Sequence, residues 1–183
     1  MMNISDLLSP DTAHRWEEGS LELNPLTEED ALQEAQMLGL RFDAVAGVVG
    51  ILFELRQALQ LQEANTGVLV AYGVRELTWS GPARDAKLTA WSVGSSKPAS
   101  KNGLFDLSLD MWPQPGARLA VTAERAAFFL GNVQGLLDAP PDYTEHDRAA
   151  VAGLVADWES LFETLNATFL NPDHRVSSGG ATA

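Results

Sequence analysis

Asp106, Ser108 and Asp110 occupy alternate positions of Leu-Phe-Asp-Leu-Ser-Leu-Asp-Met (104–111), interleaved with Phe105, Leu107, Leu109 and Met111. A period of two sends the polar set to one face of a strand and the apolar set to the other. Two carboxylates on one face have the chemistry of a general acid and its partner base. At roughly 3.3 Å per residue, however, Asp106 and Asp110 are about 13 Å apart, farther than the paired acids of glycosidases. The row therefore reads as a solvated recognition face, not as a catalytic pair. Trp112 follows it and precedes Pro-Gln-Pro-Gly, the turn that ends the strand, where an exposed ring marks a contact surface.

The basic residues cluster elsewhere. Arg84, Lys87, Lys97 and Lys101 face only Asp85 between positions 84 and 101, and all three lysines of the chain fall there. Gly94 to Gly103 has the Gly, Ser and Pro content of a flexible loop. A basic loop on an acidic body suits an anionic ligand or partner. The candidate binding residues are thus Asp106, Ser108, Asp110, Trp112, Lys97 and Lys101.

Other chemistry is thinly represented. The chain has no cysteine, which removes disulfides, thiolate metal sites and cysteine nucleophiles. Its histidines, His14, His146 and His174, fall on an N-terminal segment, a helix start and a tail. His146 with Asp142, Glu145 and Asp147 is the one local cluster of metal donors. Acids in that position serve the positive end of a helix dipole. No phosphate loop, dinucleotide fingerprint or nucleophile elbow is present. No catalytic residue, metal or cofactor is expected, and a binding role ranks above an enzymatic one.

The net charge of −13 argues against nucleic acid and anionic membranes as partners and permits a basic protein. Hydrophobic content of 45% and charged content of 20% are those of a globular chain. There is neither an apolar run of membrane-spanning length nor a signal-like N-terminus, so the cytoplasm is the expected compartment. Arginine outnumbers lysine nine to three, as in GC-rich bacteria.

These residues need elements to position them. Asp142 to Asn171 reads as a long helix, capped by Thr144 with Asp147 and carrying an apolar stripe of Val151, Leu154, Val155, Trp158, Leu161, Phe162 and Leu165. Pro172 limits it. A shorter helix is expected from Thr27, with Asp30 completing a capping box, to Gly39. Another starts at Ser9-Pro10-Asp11, with Trp16 pinning it to the body. Between them Arg41 to Val45, Val48 to Arg56, Thr66 to Trp79 (one long strand, or one broken near Gly73), Lys87 to Val93, Leu104 to Met111, Arg118 to Thr122 and Ala126 to Leu130 read as strands. Gly47 and Gly50 suggest a bulge, a sharp bend or a close backbone approach. Glu54 and Arg56 share a strand face as a surface ion pair.

The expected fold is α+β: a curved antiparallel sheet of six or seven strands, with a preceding short helix and a long C-terminal helix packed on it. In architecture this resembles helix-grip and cystatin-like sheets. Residues 1–23 are peripheral, 24–171 form one domain, and 172–183 are a disordered tail. The expected function is an acidic module that recognises or masks a basic protein. In size, charge and lack of cysteine it is similar to bacterial immunity proteins, with no motif to carry over. The alternative is a small-molecule domain, its apolar pocket lying between sheet and helix and lined by Trp79, Trp91 and Phe128.

Overall fold

The computed structural model describes residues 1–12, 15–85 and 87–174, so His14 and the tail after His174 lie outside them. It is a sheet protein. Strands β1 (Met2–Asn3), β2 (Gln36–Asp43), β3 (Val48–Glu54), β4 (Thr66–Ser80), β5 (Trp91–Lys101), β6 (Leu104–Trp112), β7 (Ala117–Val133) and β8 (Leu161–Leu170) form one antiparallel sheet in the order β1-β8-β7-β4-β3-β2-β5-β6. β6 also pairs with β7, which closes six of the strands into a ring. β7 makes closure possible. One of its edges follows β4 along the whole length, whereas the other is shared, taking β6 at 117–123 and β8 at 126–133.

The long C-terminal helix is not there. The α-helix found among the described residues is α1 (Arg148–Val151), a single turn; Leu154, Val155 and Trp158 of the apolar stripe follow in turns and loop, and Leu161, Phe162 and Leu165 lie on β8. Gly153, at φ +77, ends the helical turn in a conformation that costs glycine little. The acids read as helix caps instead hold turns. Asp142 Oδ1 accepts from Thr144 N at 2.9 Å, while Asp147 caps only the short α1. The deciding term is tertiary. Residues 126–133 of β7 present an open edge whose backbone groups need partners, and a strand supplies them where a helix would not. Trp158 does pack on the sheet, but from a loop, and Leu161 is 55% exposed.

The helix expected from Thr27 is also replaced by turns. Asp30 and Glu34 have φ of 58° and 64°, which no helix accommodates. Asp30 is held there by β5, since its carboxylate accepts from Ser95 Oγ and Ser96 N at 3.0 Å. Likewise Gly94 to Gly103 is not a flexible loop: it runs mainly as β5 and ends in a turn at Asn102-Gly103. The well-patterned β6 templates its weakly β-forming neighbour, and Pro98 is tolerated because β2 does not pair with β5 at that position. The two strands expected at 118–122 and 126–130 are one continuous β7.

Two cores explain the apolar runs. Within the ring lie Val49, Ile51, Phe53, Leu69, Phe105, Leu107, Leu109, Leu119, Val121 and Phe128. The opposite face of β3, β4, β7 and β8 carries Leu52, Val68, Val70, Phe129 and Phe162, covered by Ile4, Leu7 and Ala156, with Trp16 and Trp158 against them. Trp16 meets Phe129 edge-on at 6.5 Å, the expected pin. Gly50 lies where a Cβ would come within 3.1 Å of both Leu8 and Trp158, the close approach that its position in a strand suggested. Among the described residues no helix is long and apolar enough to cross a membrane.

Candidate functional site

The ring is weakest between β2 and β5. They pair only at Gln36–Ser92 and Met37–Trp91 and then part. β2 runs on to Asp43 with β3 on one edge and no strand on the other. The gap forms an open cleft of about 470 Å³.

Four consecutive β2 residues, Met37, Leu38, Gly39 and Leu40, line it, with a bulge at Leu38. Met37 and Leu40 pack toward the ring interior and Leu38 toward the outer layer, so a cleft touching all of them meets the edge of the strand and its backbone N–H and C=O groups. Leu77 and Trp79 from β4, with Leu119 from β7, supply an apolar wall. Trp79 and Leu119 are cross-strand partners and therefore share a face. The opposite rim is Pro82, Arg84, Asp85 and Leu88 to Trp91, and Arg148 reaches in from α1. The rings of Trp79 and Trp91 meet edge to face, 6.1 Å apart at 65°. Trp79 is 46% exposed. Arg84 stands over Trp91, its Cζ 5.5 Å from the ring centroid, and its Nη1 donates to Pro115 O at 3.2 Å. Asp85 is the one carboxylate on the lining, and its Oδ1 accepts from Lys87 N.

A buried polar cluster braces this rim. Glu54 and Arg56 do pair, but beneath the surface, with side chains 1% and 7% exposed. Arg56 Nε donates to Glu54 Oε1 at 2.8 Å, and its other nitrogens reach the carbonyls of Leu137 and Leu154. Tyr143 OH donates to Glu54 Oε2 at 3.1 Å, while Thr89 N donates to Tyr143 O at 2.9 Å. β3 is thus tied to the 134–160 segment, and that segment to the cleft rim. Burial, reinforced by the Glu54 carboxylate, pushes the Tyr143 phenol far up. Every charged partner in the cluster is committed, so it reads as a brace rather than as an acid–base pair.

The six binding residues expected from sequence lie on another surface. Register puts Lys97 beside Ser108, Asp106 beside Thr122 and Asp110 beside Arg118, so they share the outer face of β5, β6 and β7. The row is not a continuous anionic patch. Asp106 accepts a hydrogen bond from Thr122, Asp110 is 3.8 Å from Arg118 Nε, and Lys97 and Lys101 are interleaved with them. Trp112, 42% exposed, borders a second hollow with Pro113, Pro140, Pro141 and Tyr143. Of the pocket residues named from sequence, Trp79 and Trp91 line the main cleft, and Phe128 is sealed in the core. The pocket lies between parted strands, not under a helix.

Arg148 and the β2 edge carried no signal in the sequence. Arg84 did, as the first residue of the basic stretch. His146 Nδ1 is 3.2 Å from Asp142 O, within a turn, and no group of potential metal ligands occurs among the described residues. Neither a protein-family model nor a curated protein sequence matches this chain.

Proposed function

We propose that the chain binds a small, largely apolar molecule in the cleft between β2, the end of β4 and the 82–91 rim. The cleft itself carries this reading: about 470 Å³ of open space bounded by two tryptophans, in a ring otherwise filled by side chains. Ligand sites fall in the range of about 300–1,000 Å³ and combine apolar walls with a few convergent polar groups. Here those groups are the free edge of β2 and the cleft arginines. The cytoplasm is the expected setting.

Fragment screening by NMR tests it directly. A flat aromatic probe should shift the indole N–H signals of Trp79 and Trp91. Those of Trp16 and Trp158, on the opposite face of the sheet, should stay put. Shifts confined to Trp16 and Trp158, or none at any indole, would refute the assignment.

Masking of a cationic protein ranks second. The charge of −13 favours it, but the interleaved cations weaken the row at Asp106 and Asp110 as an anionic patch. Co-purification of a basic protein, released by salt, would reverse the ranking.

A further inference from the structure

Of the eight arginines among the described residues, four reach carboxylates and four, Arg15, Arg84, Arg125 and Arg148, do not. Arg41, Arg56, Arg75 and Arg118 reach the carboxylates of Glu159, Glu54, Glu124 and Asp110. Arg84 and Arg148, the two that line the cleft, reach none among the described residues. Arg84 is also held in position. Its guanidinium stacks over Trp91 and spends one donor on Pro115 O, which leaves its remaining N–H groups uncommitted. Two of the four arginines without a carboxylate partner thus meet at one apolar cleft, on a chain with 25 acidic and 12 basic side chains.

We propose that the molecule bound in the cleft carries an oxyanion, a carboxylate, sulfonate or phosphate, on its apolar body, and that Arg84 binds this group with Arg148 as a second cation. This deepens the small-molecule reading and rests on it. A planar guanidinium matches an oxyanion with two parallel hydrogen bonds, and its stacking on Trp91 lowers the entropy lost on binding. Asp85 opposes the anion but leaves the lining with two cations against one carboxylate. The negative body opposes it as well. That field is screened over about 8 Å at physiological salt, whereas Arg84 acts at contact.

Two fluorescent probes with the same ring system separate the claims: anionic anilinonaphthalene sulfonate and neutral N-phenylnaphthylamine, titrated against the full chain. The sulfonate should bind at least about tenfold more tightly than the neutral probe, the range expected for hydrogen bonds to a charged group. Arg84→Met keeps an unbranched apolar stem and removes the guanidinium. It should bring the ratio of the two affinities close to one by weakening the sulfonate alone, while Arg84→Lys retains part of the preference. If Arg84→Met does not fold, Arg148→Gln reads the same ratio and should lower it. Equal affinities that no arginine substitution alters, with both probes shifting Trp79 and Trp91, would overturn the oxyanion while leaving the cleft intact. If neither probe moves those indoles, both readings fall.

Discussion

The wall made of β3, β4 and the second half of β7 differs from the wall where β2 meets β5. In the first, alternate residues fill two separate cores. Leu69 and Phe128 face the ring, and Val68 and Phe129 face the outer layer. Its ladders run unbroken from Val48–Tyr72 to Glu54–Thr66. In the second wall the strands share two residue pairs and separate, leaving Leu38 to Leu40 with one edge unpaired and two tryptophans half open beside it. Rigidity is concentrated where both faces are dry. Room for a ligand opens where the backbone ladder stops. A ring closed as tightly on all sides would have no cleft, and one as loose on all sides would not hold its shape.

Substitutions can press on this contrast. The largest loss is expected at Phe129, which meets both Trp16 and Phe169 edge-on. Phe129→Ala should cost about 3–5 kcal/mol in denaturant unfolding. If it costs below about 1 kcal/mol, the two-core wall is not what holds the ring. Glu54→Gln should cost roughly 3 kcal/mol, the lower end for a broken buried pair, since the amide keeps some hydrogen bonding to Arg56. Its second signature would be faster amide exchange at Leu137 to Leu154, the segment that Arg56 anchors.

Tyr72, also in the closed wall, gives a pH test. Burial pushes its phenol up to about 12 from 10.0, against a lowering by Arg125. The unfolded tyrosine releases its proton near 10 while the folded one keeps it to about 12. Stability is therefore full below pH 10 and falls between pH 10 and 12, by about 2–3 kcal/mol. Tyr72→Phe should remove that slope, leaving the loss due to Tyr143, which has the same sign.

The open wall should respond less. Trp79→Ala is expected to change stability by about 1 kcal/mol, the worth of its edge contact with Trp91, and to abolish the response to an aromatic probe. Arg118→Ala should be smallest, within about 0.5 kcal/mol, because its pairing with Asp110 is solvent-exposed. A larger effect there would mean that the face bearing Asp106, Ser108 and Asp110 contributes to stability as well as facing solvent.

Legibility in the sequence follows the same division. β6 could be read from alternation alone, because each of its residues has one dry or one wet environment. Val49, Ile51, Phe53 and Leu55 were equally clear, and the close approach at Gly50 was one of the readings its place in a strand allowed; at Gly73 the strand does not break but runs on through φ +66. The 142–171 region misled because Leu161, Leu165 and Trp158 happen to fall at helical spacing. In the fold Leu161 and Leu165 are exposed, while Phe162 and Ala167 carry the burial. The cleft was half legible. Trp79 and Trp91 were named, but Arg148 and the edge of β2 were not, since unpaired backbone leaves no mark on residue types.

Residue order by itself determined what each stretch can bury, where turns can form, and that no thiol is present. Tertiary structure decided which of two compatible secondary structures 161–170 adopts, which arginines find carboxylates, and where two strands part. Burial pattern is written locally in side chains. Backbone pairing depends on which edge another segment leaves open, and that edge exists only once the chain has folded.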